Sequence, residues 1–216
     1  MARPIATNTD SVPRRIYQGV SALLLLFVGL GPAVVYATAE PGQTAPPLFL
    51  KDVNDQPVPL NALKGRWVVL EWTNPDCPFV QKHYKSGNMQ ATQRHGRERN
   101  VVWIQINSTN PNHPEYKTAA QMATWNKSLQ ATPTVIALDI EGQTGRAYGA
   151  RTTPQMVLIN PNGRIDYHGA IDSIRSANPA DIANAINYVK QAIEETLAGK
   201  PVSVKSATPY GCSVKY

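Results

Sequence analysis

From Trp67 to Trp72 the chain reads Trp-Val-Val-Leu-Glu-Trp, β-favouring and almost wholly apolar. A strand without alternation is covered on both faces, so the rest of the chain must supply a layer on each side. Val101–Ile106 and Val135–Leu138 have the same character. Helical segments are expected between and after these runs. One spans about Pro78 to Arg94, opened by a proline at its first position and weakened by Gly87. Another spans Glu115 to Leu129, with Tyr116, Met122, Trp125 and Leu129 at rough helical spacing. A short one covers Thr144–Tyr148, and a last one Pro179–Leu197, stopped by Gly199. Gln155–Ile159 and Arg164–His168 flank the turn Asn160-Pro161-Asn162-Gly163, which predicts a hairpin. The fold class is therefore α/β: a central, mostly parallel sheet with a C-terminal antiparallel hairpin and helices on both faces.

The first residues have a different logic. Arg14 and Arg15 precede an apolar run from Val20 to Val35, which leads to Ala37-Thr38-Ala39. Basic start, apolar middle and small-residue exit predict a signal peptide over residues 1–39, and a periplasmic or secreted product. The run falls short of the roughly 20 residues a spanning helix needs, and Gly29, Gly31 and Pro32 interrupt it. No stable membrane span is expected after cleavage. The domain is then 40–216, with an aperiodic tail from about residue 200. Removing Arg3, Asp10, Arg14 and Arg15 lowers the formal charge from +6 to +4. The remaining basic residues are scattered without aromatic interleaving, which argues against a nucleic-acid partner. Two cysteines, Cys77 and Cys212, are too few for a disulfide scaffold.

Cys77 is singular in its position. The turn Thr73-Asn74-Pro75-Asp76 separates it from the buried strand, and Pro78 opens the helix behind it. Unpaired N–H groups and the positive end of the helix dipole favour a thiolate there, the form that attacks disulfides and peroxides. The alternative is an inert, buried cysteine acting as a small apolar residue.

Trp72-Thr73-Asn74-Pro75-Asp76-Cys77-Pro78-Phe79-Val80 resembles the active-site turn of thioredoxin-fold proteins, with Val80 in place of the second cysteine of Cys-x-x-Cys. From about Ala45 onward the chain is similar to exported redoxins related to peroxiredoxins and the alkyl hydroperoxide reductase/thiol-specific antioxidant (AhpC/TSA) group. The other segments that carry the likeness are Tyr148–Pro154, Gly169-Ala170-Ile171-Asp172 and Tyr210–Tyr216. The resemblance implies a thioredoxin-like fold, a reactive Cys77, and a cis-proline beside it at Pro154, shaping a substrate edge. It implies no dissociable cofactor, and as partner an external thiol reductant or a disulfide-bearing protein. The peroxiredoxin motif Pro-x-x-x-Thr-x-x-Cys is not met. Its threonine position holds Asn74 and its proline position Leu70.

The candidate site is thus Cys77, Cys212, Pro154, Asn74 and Arg151. Arg151 is either an anion stabiliser or a surface charge. Cys212 either resolves an oxidised Cys77, forms a permanent staple with it, or pairs elsewhere. A staple closing a loop of about 135 residues would contribute roughly 4–5 kcal/mol in the chain-entropy account. Gln81 and Tyr84 share the face of Cys77 on the predicted helix, whereas His83 points away and is expected at the surface. Glu71 is read as a partly exposed strand residue, with proton relay as the alternative, and Trp72 as core. No metal-spaced histidine cluster appears. Two functions follow: a thiol oxidoreductase working on disulfides or peroxides through Cys77, or a non-catalytic binding module stapled by Cys77–Cys212.

Overall fold

The computed structural model describes residues 39–216, together with residues 1, 2 and 4. The basic and apolar parts of the expected leader lie outside the described residues. Among those described, no helix is long and apolar enough to cross a membrane. In chain order the elements are β1 (Lys51–Asp52), β2 (Val68–Trp72), α1 (Pro78–Lys85), α2 (Asn88–Arg97), β3 (Val102–Asn107), α3 (Ala119–Ser128), β4 (Val135–Leu138), α4 (Gln143–Ala147), β5 (Thr152–Thr153), β6 (Gln155–Ile159), β7 (Ile165–Gly169), α5 (Tyr188–Leu197), β8 (Ser206–Ala207) and β9 (Cys212–Ser213). Two 3-10 helices, Leu60–Leu63 and Pro179–Asn184, complete them.

The seven-stranded sheet runs β1-β4-β3-β2-β6-β7-β8, and β5 pairs with β9 as a separate two-stranded ribbon. The strand with which the sequence began, β2, lies at the centre, parallel to β3 and antiparallel to β6. Its residues alternate between two cores as a pleated strand requires. Val68, Leu70 and Trp72 join Ile104, Ile106 and Val157 on one side. Val69 joins Trp103, Met156, Leu158 and the inner faces of α1, α2 and α5 on the other. Tyr148, just past α4, lies in the first core, so helices cover both faces.

The sheet is more mixed than expected. Parallel pairing joins β2–β3, β3–β4 and β7–β8, whereas β1–β4, β2–β6 and β6–β7 are antiparallel. The three parallel steps, β2–β3, β3–β4 and β7–β8, each contain a helical crossover, as parallel neighbours require, whereas the short β6–β7 return folds back antiparallel.

Three helices also differ in extent. The segment expected as one helix after Cys77 is two, α1 and α2. Gly87 sits between them at φ +76°, a left-handed conformation that glycine adopts without steric cost, and it caps α2. Helix α3 begins four residues later than its apolar spacing suggested. Thr118 and Gln121 form a reciprocal capping box that fixes the start. The last predicted helix is divided by Ala185, which is extended, and restarts where the Asn187 side chain accepts from the Lys190 amide. The tail is not aperiodic in space. It adds β8 to the sheet edge, buries Val202 and Tyr210, and pairs β9 with β5.

Candidate active site

Cys77 is the N-cap of α1, where the sequence placed it. Asn74 builds the turn before it. Its carbonyl accepts from the Cys77 amide at 3.0 Å and its Oδ1 accepts from the Asp76 amide at 3.0 Å. Its Nδ2 donates to Glu115 at 2.6 Å, while Lys117 pairs with Asp76. The turn is therefore tied twice to the segment before α3.

The thiol of Cys77 donates to the Thr153 carbonyl at 3.1 Å. The Thr153–Pro154 peptide is cis, at the position the resemblance gave. Thr153 is also the register partner of Cys212 in the β5–β9 ribbon, and the Val214 amide donates to the Arg151 carbonyl at 2.9 Å. One strand end thus gathers Cys77, Pro154 and Cys212. The expected substrate edge beside Pro154 is taken by the chain's own tail. Gly211 permits the approach. With φ +132°, it would place a Cβ only 1.9 Å from the Thr153 oxygen.

Both cysteines are free thiols. Cys77 is only 1% exposed, so it is buried, as in the alternative reading of an apolar core cysteine. It packs with Val80, Tyr84 and Met156, and Cys212 from the tail joins the same cluster. Cys212 is half-buried, and burial, then the neighbouring Cys77 thiol, pushes its thiol up to about 12. Arg151 is exposed. Its side chain makes no hydrogen bond among the described residues, and it meets the site only through its main chain. A cavity of about 760 Å³ opens at the other end of β2, among Leu48, Leu60, Val68 and Ile159, and touches neither cysteine.

Glu71 is completely buried, not partly exposed. It accepts from the Tyr84 hydroxyl at 2.5 Å, Trp103 Nε1 at 2.6 Å and Gln93 Nε2 at 3.2 Å. Burial, the largest influence, raises its pKa against those three donors. Among the described residues no hydrogen bond joins it to either sulfur. Trp72 packs in the opposite core against Tyr148, centroids 5.6 Å apart.

A second polar group lies between α1 and the tail. Lys82 is buried and donates to Asp172 at 3.1 Å and to the Ile174 carbonyl at 2.9 Å. His83, expected at the surface, is fully buried beside Tyr210 and Asn88. The tail and the 170–174 segment cover the α1 face that helical spacing had assigned to solvent. None of Lys82, Asp172 and Tyr210 was a candidate from sequence. Asp172 and Tyr210 lie within the segments that carry the family likeness, the one signal available for them.

Burial lowers the His83 pKa from 6.5 to about 4, against the attraction of Asp172. A depressed histidine leaves the unfolded chain holding more protons between those values. Its contribution to stability is intact above pH 6.5 and is lost as pH falls toward 4. Glu71, raised, acts in the opposite sense. Comparing wild type with His83→Gln isolates the histidine. The variant is expected to lose about 3 kcal/mol less between pH 6.5 and 4, measured by urea unfolding. Parallel pH curves would show His83 to be solvated.

Among the described residues no three His, Cys, Asp or Glu side chains are grouped to hold a metal ion. Comparison with known proteins agrees with the geometry. The thiol–disulfide oxidoreductase ResA of Bacillus subtilis (strain 168) is 28% identical over 158 residues, covering 70% of this chain and 83% of that protein. An uncharacterized conserved protein from Geobacillus kaustophilus superposes with a TM-score of 0.70 at 23% identity, covering 83% of this chain and 93% of its own. A putative thiol:disulfide interchange protein DsbE from Chlorobium tepidum superposes at 0.53 with 20% identity, over 75% and 98%. These structures share the thioredoxin-like fold. Residues 41–168, more than half of the sequence, match the AhpC/TSA family, and the chain is a member of that family.

Proposed function

We propose that this protein is an exported thiol–disulfide oxidoreductase whose working couple is Cys77–Cys212. The observation that carries the reading is the β5–β9 register, which sets Cys212 opposite Thr153, the residue whose carbonyl holds the Cys77 thiol. Two cysteines distant in sequence are brought together beside Pro154, and the resemblance to a curated thiol–disulfide oxidoreductase points the same way.

The division of labour follows from the two environments. Cys77 is the N-cap of α1 in the turn that resembles the thioredoxin-fold active site, and Cys212 lies beside it on the tail strand β9, so Cys77 is the attacking and Cys212 the resolving cysteine. Cys77 attacks a substrate disulfide when β9 leaves the β5 edge. A mixed disulfide forms and one substrate thiol departs with a proton. The return of β9 lets Cys212 displace the second substrate thiol and close Cys77–Cys212. Two electrons and two protons pass to the substrate, and an external thiol reductant restores the pair. Disulfides suit the site better than peroxides, because Leu70 and Asn74 stand at the peroxiredoxin proline and threonine positions and Asn74 is engaged in the turn. Export rests on the leader-like sequence of residues 1–39 and places the activity in the periplasm or outside the cell.

The burial of Cys77 favours a second reading, a binding module in which Cys77–Cys212 is a permanent staple. Equilibration in glutathione buffers, with thiols counted by mass after alkylation, separates the two. A couple with a midpoint above about −300 mV is expected, since structural disulfides lie below that. A disulfide that resists reduction throughout would establish the staple instead.

A further inference from the structure

Tyr210 stands two residues before Cys212, and its hydroxyl is where four buried side chains meet. It donates to Asp172, accepts from Lys82 Nζ at 3.3 Å, and lies 3.2 Å from His83 Nε2. Asn88 Nδ2 lies 2.8 Å from His83 Nδ1 and donates to it, so Nε2 carries the ring proton and donates to Tyr210. The tyrosine ring stands edge-on to Phe79, centroids 5.8 Å apart, with Lys82 Nζ 5.5 Å from its centroid. Phe79, Lys82 and His83 all belong to α1, the helix capped by Cys77. The element that carries one sulfur therefore grips the tail just before the other. Only Gly211 intervenes, pressed against the Thr153 carbonyl without room for a Cβ.

We propose that Tyr210 is a positioning residue that sets the reduction potential of the Cys77–Cys212 couple, by holding the tail on α1 while both thiols are reduced. The inference rests on the reading of these cysteines as a redox couple. Forming the disulfide removes the freedom of whatever carries Cys212. A tail already docked has little freedom left to lose, so the effective concentration of one thiol at the other is high. A tail released at residue 210 must be ordered as the bond forms. The reaction is Cys77–SH plus Cys212–SH plus glutathione disulfide, giving the protein disulfide and two reduced glutathiones.

The test is the equilibrium constant of that reaction in wild type, Tyr210→Phe and Gly211→Ala, read by alkylation and mass, with thermal unfolding of the oxidised and reduced forms alongside. Tyr210→Phe removes the hydroxyl and keeps the ring. The constant is expected to fall roughly tenfold to hundredfold, which for a two-electron couple is about 30 to 60 mV toward easier reduction. Gly211→Ala should shift it in the same direction by loosening β9, and it spares the buried cluster if Tyr210→Phe fails to fold. A purely structural tyrosine would lower the stability of both redox forms equally and leave the constant alone. Constants within twofold of wild type in the folded variants would overturn the inference while the couple itself stood. Absence of any Cys77–Cys212 couple in wild type would remove the function and the inference together.

Discussion

Serine in place of Cys77 is expected to lower thiol–disulfide exchange by roughly three orders of magnitude or more, measured as turnover of a disulfide-bonded protein such as insulin with excess dithiol. A hydroxyl can still donate to the Thr153 carbonyl, so the turn, the N-cap and the β5–β9 ribbon should survive, and the loss would report chemistry. The companion Cys212→Ser should behave differently. Its Cys77 still attacks, but nothing on the chain displaces the second substrate thiol, so without added dithiol a mixed disulfide on Cys77 accumulates and the first turnover is not completed. Full activity in Cys77→Ser would end the proposed mechanism. A mixed disulfide that forms on Cys212 in Cys77→Ser, with none on Cys77 in Cys212→Ser, would reverse the assigned roles.

The second large effect is thermodynamic. Lys82→Ala is expected to destabilise the reduced protein by about 3–5 kcal/mol in urea unfolding, the range seen when one partner of a buried ion pair is removed. The side chain of Lys82 is wholly buried, and its ammonium faces the Asp172 carboxylate, the Ile174 carbonyl and the Tyr210 hydroxyl. Alanine leaves the carboxylate in the interior with the Tyr210 hydrogen bond but no positive charge. Replacing Lys82 and Asp172 together by apolar residues of similar volume should cost less than Lys82→Ala alone, because no charge is stranded. A loss below about 1 kcal/mol for Lys82→Ala would mean that water reaches the pair.

The parts legible in the sequence were those dictated locally or by continuous burial. β2, β3, β4 and the β6–β7 hairpin are apolar runs or alternations bounded by turn residues, and each lies close to where those patterns put it. Cys77 at a helix start follows from a short motif whose geometry is fixed within a few residues, whereas Pro154 beside it came from the resemblance to the thioredoxin fold. What escaped depended on contacts between distant segments. The strands of the tail are two residues each, too short for any periodicity to register. Lys82 and His83 look like the outer face of an amphipathic helix, and only Tyr210 and Asp172 arriving from elsewhere turn that face inward. The burial of Cys77 has the same origin. The sequence around it describes a helix start, and its distant neighbours, Thr153 and Cys212, come from segments far along the chain. Glu71 was misjudged for a related reason. Its three donors come from α1, α2 and β3, and no one segment announces the pocket they make.

The short span Thr208-Pro209-Tyr210-Gly211 is anchored at both ends. Ala207 is in register with Gly169 at the sheet edge, and Cys212 with Thr153 in the ribbon. Side chains on an extended segment switch faces with every residue. A tail with one residue added or removed there would keep all its chemical groups and still turn its sulfur away from Cys77. The span acts as a ruler. At Thr208 and Pro209 the constraint falls on how many residues there are, more than on which ones.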